Sequence, residues 1–212
     1  MIFSNSLKNI SKIGVGDIIA NGISALFWFY LASSMLPAEY GNIHYLMSFA
    51  AIAATLSTVG AQNVITVYIS KNKNVTSTLF FVSLTCSIIS CLVLFLIFNK
   101  FEIGLLAIGM MIFTHGIASN LGSKKFSKYA IYSILQKTLM ASLSISFYYF
   151  LGIDWILLGI GLSYFIYAKL FVNYLKKFKI ELKELKSNKK FILENYFLML
   201  TNMVTTQMDK LL

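Results

Sequence analysis

The sequence predicts an all-α polytopic membrane protein, and three observations carry that prediction. Of 212 residues 58% are apolar and only 12% charged, with a mean hydropathy of +0.74. The apolar excess is gathered into runs of about 20 residues, the length a bilayer's hydrocarbon core demands of a helix. The third observation is where the charge sits. The net charge of +10 comes from eighteen lysines, no arginine and eight acids, and most of these lysines fall in short loops between apolar runs, so the excess points to a membrane surface and not to nucleic acid. Disorder, a coiled coil and a soluble enzyme are excluded by the same pattern.

Apolar runs and their breaks place candidate spans at 13–36, 42–69, 77–98, 103–121, 129–151, 155–175 and 192–212. The first run, 24 residues long, exceeds the roughly 7–15 apolar residues of a cleavable signal and is expected to stay as a helix. Short connections join the spans, except for one basic stretch from Lys176 to Lys190. Fourteen lysines lie in the tail and the alternate loops: Lys8, Lys12, Lys71, Lys73, Lys124, Lys125, Lys128 and seven between Lys176 and Lys190. The opposite loops hold Lys100 with Glu39, Glu102 and Asp154. Basic loops stay on the inner side, so the amino terminus is expected in the cytoplasm of a multi-pass cytoplasmic-membrane protein. The chain divides into a six-helix unit at 1–175, a basic linker at 176–191 and a seventh helix at 192–212. The linker reads either as a solvated segment or as a lipid-binding amphipathic one with Ile180, Leu182 and Leu185 between its lysines.

Within the spans the informative residues are polar, because a central Lys or Asp costs about 2.5–3.5 kcal/mol to insert. They are Asp17, Asn21, Gln62, Asn63, His115, Asn120, Gln136, Lys137, Asp209 and Lys210. In the first span Gly14, Asp17, Asn21, Ser24 and Trp28 share a stripe. Ser133, Gln136, Lys137 and Ser144 do so in the fifth, and Ser48, Thr55, Gln62 and Thr66 form a looser stripe in the second. Three striped helices predict a common polar interior. Counting inward from the cytoplasmic ends puts Asp17 about 6 Å deep, His115 about 9 Å, and Asn21 and Lys137 about 12 Å, so these four are expected to meet. Lys137 is then a cation for an anionic substrate group with Asp17 as its resting counter-ion. The alternatives are a packing pair or a Lys137 that snorkels toward the inner surface, as Lys169 does. His115 reads as an interhelical hydrogen-bond partner, with a coupling role open because imidazole titrates near neutral pH. His44 is interfacial.

Cys86 and Cys91 fall five residues apart on different helix faces and read as small fillers. Glycines 104, 109, 116, 122, 159 and 161 read as points of close helix approach. There is no metal-ligand cluster, nucleophile elbow, phosphate-cradling loop or close carboxylate pair, so neither an enzyme nor a metal or cofactor is expected.

The segment Leu31–Tyr45, L-A-S-S-M-L-P-A-E-Y-G-N-I-H-Y, resembles the connection after the first helix of Wzx-like polysaccharide flippases of the MOP superfamily, with Pro37, Glu39, Tyr40 and Gly41 carrying the match. Ser57–Lys71 is similar to that family's second-helix ending, Lys124–Lys137 to its entry into the fifth helix, and Glu194–Leu212 to the start of its second half. The resemblance implies two six-helix lobes of MATE-like fold around a cationic cavity that receives a polyprenyl-linked glycan and passes it across by alternating access. It implies Lys137 as the cation and Asp17, Asn21 and Gln62 as hydrogen-bonding partners of the sugar; Gln136, on the stripe of Lys137, joins the expected cavity residues, and His115 and Asp209 are the candidate coupling groups. Membrane lipids and glycan assembly proteins are the other implied partners. The chain departs from the pattern in lacking arginine, which favours bidentate phosphate binding, and in supplying only the first lobe and one further helix. A MATE-type drug or metabolite exporter and a non-transporting membrane assembly subunit are the alternative readings.

Overall fold

A computed structural model describes residues 2–59, 61–71, 76–176, 186 and 188–211, with the side chains of 2–9, 61, 175 and 207–211 outside that description. All regular structure among the described residues is helical. The helices are α1 (Ile2–Ser34), α2 (Pro37–Ser57), α3 (Ala61–Ser70), α4 (Thr76–Phe98), α5 (Phe101–Gly122), α6 (Phe126–Leu151), α7 (Ile156–Ser163), α8 (Ala168–Lys176) and α9 (Lys189–Leu211). Short 3-10 turns at Ile153–Trp155 and Tyr164–Tyr167 flank α7.

Four stretches are long and apolar enough to cross a membrane: Ile10–Ser34, Thr76–Phe98, Phe101–Gly122 and Ile153–Tyr174. The bent pair α2 and α3 makes a fifth if taken as one span. The sequence anticipates seven. The fifth and seventh expected spans, α6 and α9, are of spanning length but fall short in apolarity. α6 carries Lys128, Gln136 and Lys137 together with several serines and tyrosines, and part of that polar face is turned into the protein.

The expected span 42–69 is broken. α2 ends where Thr58 leaves helical geometry (φ −79°, ψ 78°), and α3 resumes at a 41° bend. Hydroxyls hold the break open: Ser57 and Thr58 donate back to Ala53 and Ala54 carbonyls, and the Val59 N–H is taken by Ser83 Oγ of α4 at 3.0 Å. Irregular backbone at such depth persists only when its polar groups are satisfied from within the protein.

α5 is the central helix. Of its most apolar window 61% is buried within the protein, against 22% for α1 and for α4, so α5 is covered by other helices and the latter two are largely exposed. Its 22 residues rise about 33 Å, enough to cross a hydrocarbon core. Glycine lets its neighbours close in: a Cβ on Gly116 would collide with the ring of Tyr167. α1 lies parallel to α6. Gly16, midway along α1, abuts Ala130 near the start of α6, and Tyr30 and Tyr149 hydroxyls meet at 2.6 Å near the ends of both helices. The elbow at Pro37 is built as the sequence predicts, with Pro37 in the first helical position and Glu39 Oε2 accepting the Leu36 N–H at 3.0 Å. α9 seats its first half on α2 and α3. Ile192 is buried beside Val64, Ile65 and Tyr68, and Tyr196 donates to the Leu56 carbonyl at 2.9 Å.

The loop charges separate as the lysine pattern requires. Lys100 and Asp154 pair at 2.8 Å beside Glu39 at the Phe101 end of α5, while Lys125, Lys128 and Lys169 gather at its Gly122 end.

Candidate functional site

Between α1, α2, α5 and α6 lies a cavity of about 380 Å³. α1 contributes Asp17, Ala20 and Asn21, and α6 contributes Ser133, Gln136 and Lys137. Ala51, Ala54, Thr55 and Thr58 come from α2 and its end, Met110, Phe113 and Thr114 from α5, Tyr164 from the 3-10 turn, and Met199 from α9. The polar stripes predicted on the first and fifth spans therefore face one another across a shared space. Each arises from helical periodicity: 17, 20 and 21 lie on one face of α1, and 133, 136 and 137 on one face of α6.

The cavity residues differ in how they are held. Asp17 Oδ1 accepts from the Tyr129 hydroxyl at 2.9 Å, a bond set by the Gly16–Ala130 contact next to it. Gln136, 1% exposed, donates through Nε2 to Ser163 Oγ at 3.0 Å and so braces α6 against α7. Ser163 passes its own hydrogen to the Ile160 carbonyl. Partly buried Lys137 is in no ion pair among the described residues. The structure thus corrects the expected resting pair: Asp17 is engaged by Tyr129, and no Asp17–Lys137 bridge forms.

Three further expectations change. Gln62 lies outside this cavity, because the break after Ser57 turns α3 away from the line that Ser48 and Thr55 follow on α2. His115 does not meet Asp17, Asn21 and Lys137. It is 1% exposed, its Nδ1 lies 3.0 Å from the Met111 carbonyl, and its ring stands edge-on to Phe80 of α4 at 5.1 Å. Ser144 is buried where α6 meets Gly159 of α7, so it too leaves the predicted stripe. Asn120 bonds Tyr167 outside the cavity at 2.7 Å. The side chain of Asp209 lies outside the described residues, as do those of residues 177–185 in the basic linker.

The sequence reading missed Tyr129, Phe113, Thr114 and Tyr164. Tyr129 was within reach, since it precedes Ser133 and Lys137 by four and eight residues and so shares their face. Phe113 and Tyr164 are aromatic among apolar neighbours, and periodicity gives no signal that separates a cavity-lining ring from a packed one.

Helix architecture and a cavity with polar groups in its lining define the class: an all-α polytopic membrane protein with a cavity among its helices. Residues 6–102 match a family model described as polysaccharide biosynthesis protein, the family of the Wzx-like MOP flippases. The match runs from α1 to the start of α5 and bears out, over those residues, the resemblance seen in the elbow and the second-helix ending. Members of that family are in general transporters or flippases and not enzymes. No curated protein and no solved structure matches the chain.

Proposed function

We propose that this protein is a flippase that moves a lipid-linked oligosaccharide across the cytoplasmic membrane by alternating access. The family match supports a flippase-type role in polysaccharide biosynthesis, and one observation carries the finer reading: the cavity holds a lysine that is in no ion pair among the described residues. An unpaired ammonium among helices is costly unless water or an anion solvates it, and the diphosphate of a polyprenyl carrier is such an anion. Asn21 and Ser133 are hydrogen-bonding groups suited to sugar hydroxyls beside it. Asp17 contributes the carboxyl oxygen that Tyr129 leaves unused. A volume of about 380 Å³ is near the low end of ligand sites, roughly 300–1,000 Å³, and suits a diphosphate with its first sugar more than a whole oligosaccharide.

In this reading the amino terminus is cytoplasmic, 176–191 is a cytoplasmic linker, and α9 is the first helix of a second lobe whose rocking against the first exposes the cavity to either side. Gln136 positions α6, and His115 serves helix packing instead of coupling. The test is replacement of Lys137 in the source organism. Lys137→Ala is expected to leave the lipid-linked glycan on the cytoplasmic leaflet, as deletion of the gene does, while Lys137→Arg retains translocation. Full translocation by Lys137→Ala overturns the assignment. Drug hypersensitivity of the deletion strain without glycan accumulation indicates the exporter reading instead.

A further inference from the structure

A second cleft, of about 210 Å³, lies at the Gly122 end of α5, between the α5–α6 loop, α6 and α8. Lys125, Lys128 and Lys169 all line it. Among the described residues no carboxylate lines it, and none of the three lysines is in an ion pair. Its floor is polar and ordered. Asn120 donates to the Tyr167 hydroxyl at 2.7 Å, both residues are buried, and the Tyr167 ring stacks on Tyr132 at 4.6 Å. Because that hydroxyl oxygen accepts from Asn120, its own hydrogen remains to be donated, and it finds no acceptor among the described residues.

Three exposed lysines and a hydroxyl donor lining one small cleft suit a compact, multiply accepting anion. A phosphate has that chemistry. The surroundings favour a phosphate carried by a lipid. The cleft sits at the helix ends, where headgroups lie, and α6 continues from Lys128 along an exposed apolar face of Ile131 (60% exposed) and Leu135 (42% exposed), which acyl chains cover. Lys169 reaching this level is also what snorkelling of its aliphatic stem predicts.

We infer that this cleft binds the headgroup phosphate of an anionic membrane phospholipid, at a site separate from the central cavity. The inference rests on the cleft alone, so it stands or falls independently of the transport reading. The test uses the full chain in nanodiscs of phosphatidylcholine with and without phosphatidylglycerol, with lipid retention read by native mass spectrometry. Phosphatidylglycerol is expected to be retained in preference to phosphatidylcholine. The triple variant K125Q/K128Q/K169Q is expected to lose roughly a hundredfold of that preference, at about fivefold for each lysine. K125R/K128R/K169R keeps it, which separates lost charge from lost fold, and so does K71Q/K176Q/K190Q, which removes equal charge elsewhere. Equal losses in the two glutamine triples overturn a defined site. Inorganic phosphate binding with the same three-lysine dependence, but no preference for phosphatidylglycerol, assigns the cleft to free phosphate and overturns the lipid.

Discussion

The sharpest test of the packing is a pair of glycines two residues apart on α1. A Cβ placed on Gly16 would stand 2.5 Å from Ala130 Cβ and 2.9 Å from Ala130 Cα. Neither atom belongs to a flexible side chain, so α1 and α6 must separate. Overpacking of this kind costs about 1–3 kcal/mol. A Cβ on Gly14 or Gly22 meets nothing within 4 Å, so Gly14→Ala or Gly22→Ala instead gains about 0.5–1 kcal/mol from helix propensity. The same substitution on one helix therefore carries opposite signs. For a chain of this size 1 kcal/mol moves a thermal midpoint by roughly 2–4 °C, and the propensity gain is common to both positions, so Gly16→Ala and Gly14→Ala are expected to differ by about 2–12 °C when detergent-purified protein is heated and folded protein is followed by size exclusion. The double variant Gly16→Ala/Ala130→Gly removes the nearer of the two collisions and is expected to recover part of the loss. Equal midpoints for Gly16→Ala and Gly14→Ala would refute the α1–α6 contact, and with it the geometry that brings Tyr129 to Asp17.

Ser163→Ala removes the partner of the buried Gln136 amide and is expected to cost about 1–3 kcal/mol in the same heating assay; Ser163→Thr, which keeps the hydroxyl, costs less. Asp154→Ala breaks the Lys100 pair, but Asp154 is 74% exposed, so the loss is expected to stay within about 1 kcal/mol and to shrink as salt is raised. A large loss that salt leaves unchanged would contradict the exposed position of that loop. With Cys86 and Cys91 replaced by alanine, Asn21→Cys and Lys137→Cys are both expected to react with a membrane-impermeant thiol reagent, and Leu94→Cys, buried in the core, is expected not to. Inert cysteines at both 21 and 137 would mean that water never enters the cavity.

What the sequence disclosed, and what it hid, follow from the physics of each feature. Spans expected at 77–98, 103–121 and 155–175 appear at Thr76–Phe98, Phe101–Gly122 and Ile153–Tyr174, because an apolar run and its polar break are local properties. Height along a helix was partly legible because rise per residue is fixed: counting placed Asn21 and Lys137 at one level, and the Gly16–Ala130 contact leaves them about 3 Å apart along the helices. Azimuth was legible only where a polar stripe marked it. His115 sits alone among apolar neighbours on α5, and nothing local tells whether it faces α4 or the cavity; it faces α4. The break after Ser57 depends on Ser83, a residue of another helix, and no reading of 42–69 by itself contains that partner.

The parallel course of α1 and α6 explains why Asp17 and Lys137 do not neutralise each other. Gly16 is level with Ala130, which puts Asp17 level with Ile131, and Lys137 lies six residues further along, about 9 Å by helical rise. Across that offset the two groups form no ion pair, and the Asp17 carboxyl bonds Tyr129 instead. Asn21, four residues beyond Asp17, is instead the cavity-lining α1 residue nearest the level of Lys137. Tyr129 satisfies the carboxyl, and the ammonium is left facing an amide, a hydroxyl and the cavity. Among the described residues no acid pairs with this lysine, and water or a bound anion is what such a charge calls for. The distribution of partners within the cavity, more than the presence of a positive residue, is what supports an anionic ligand there.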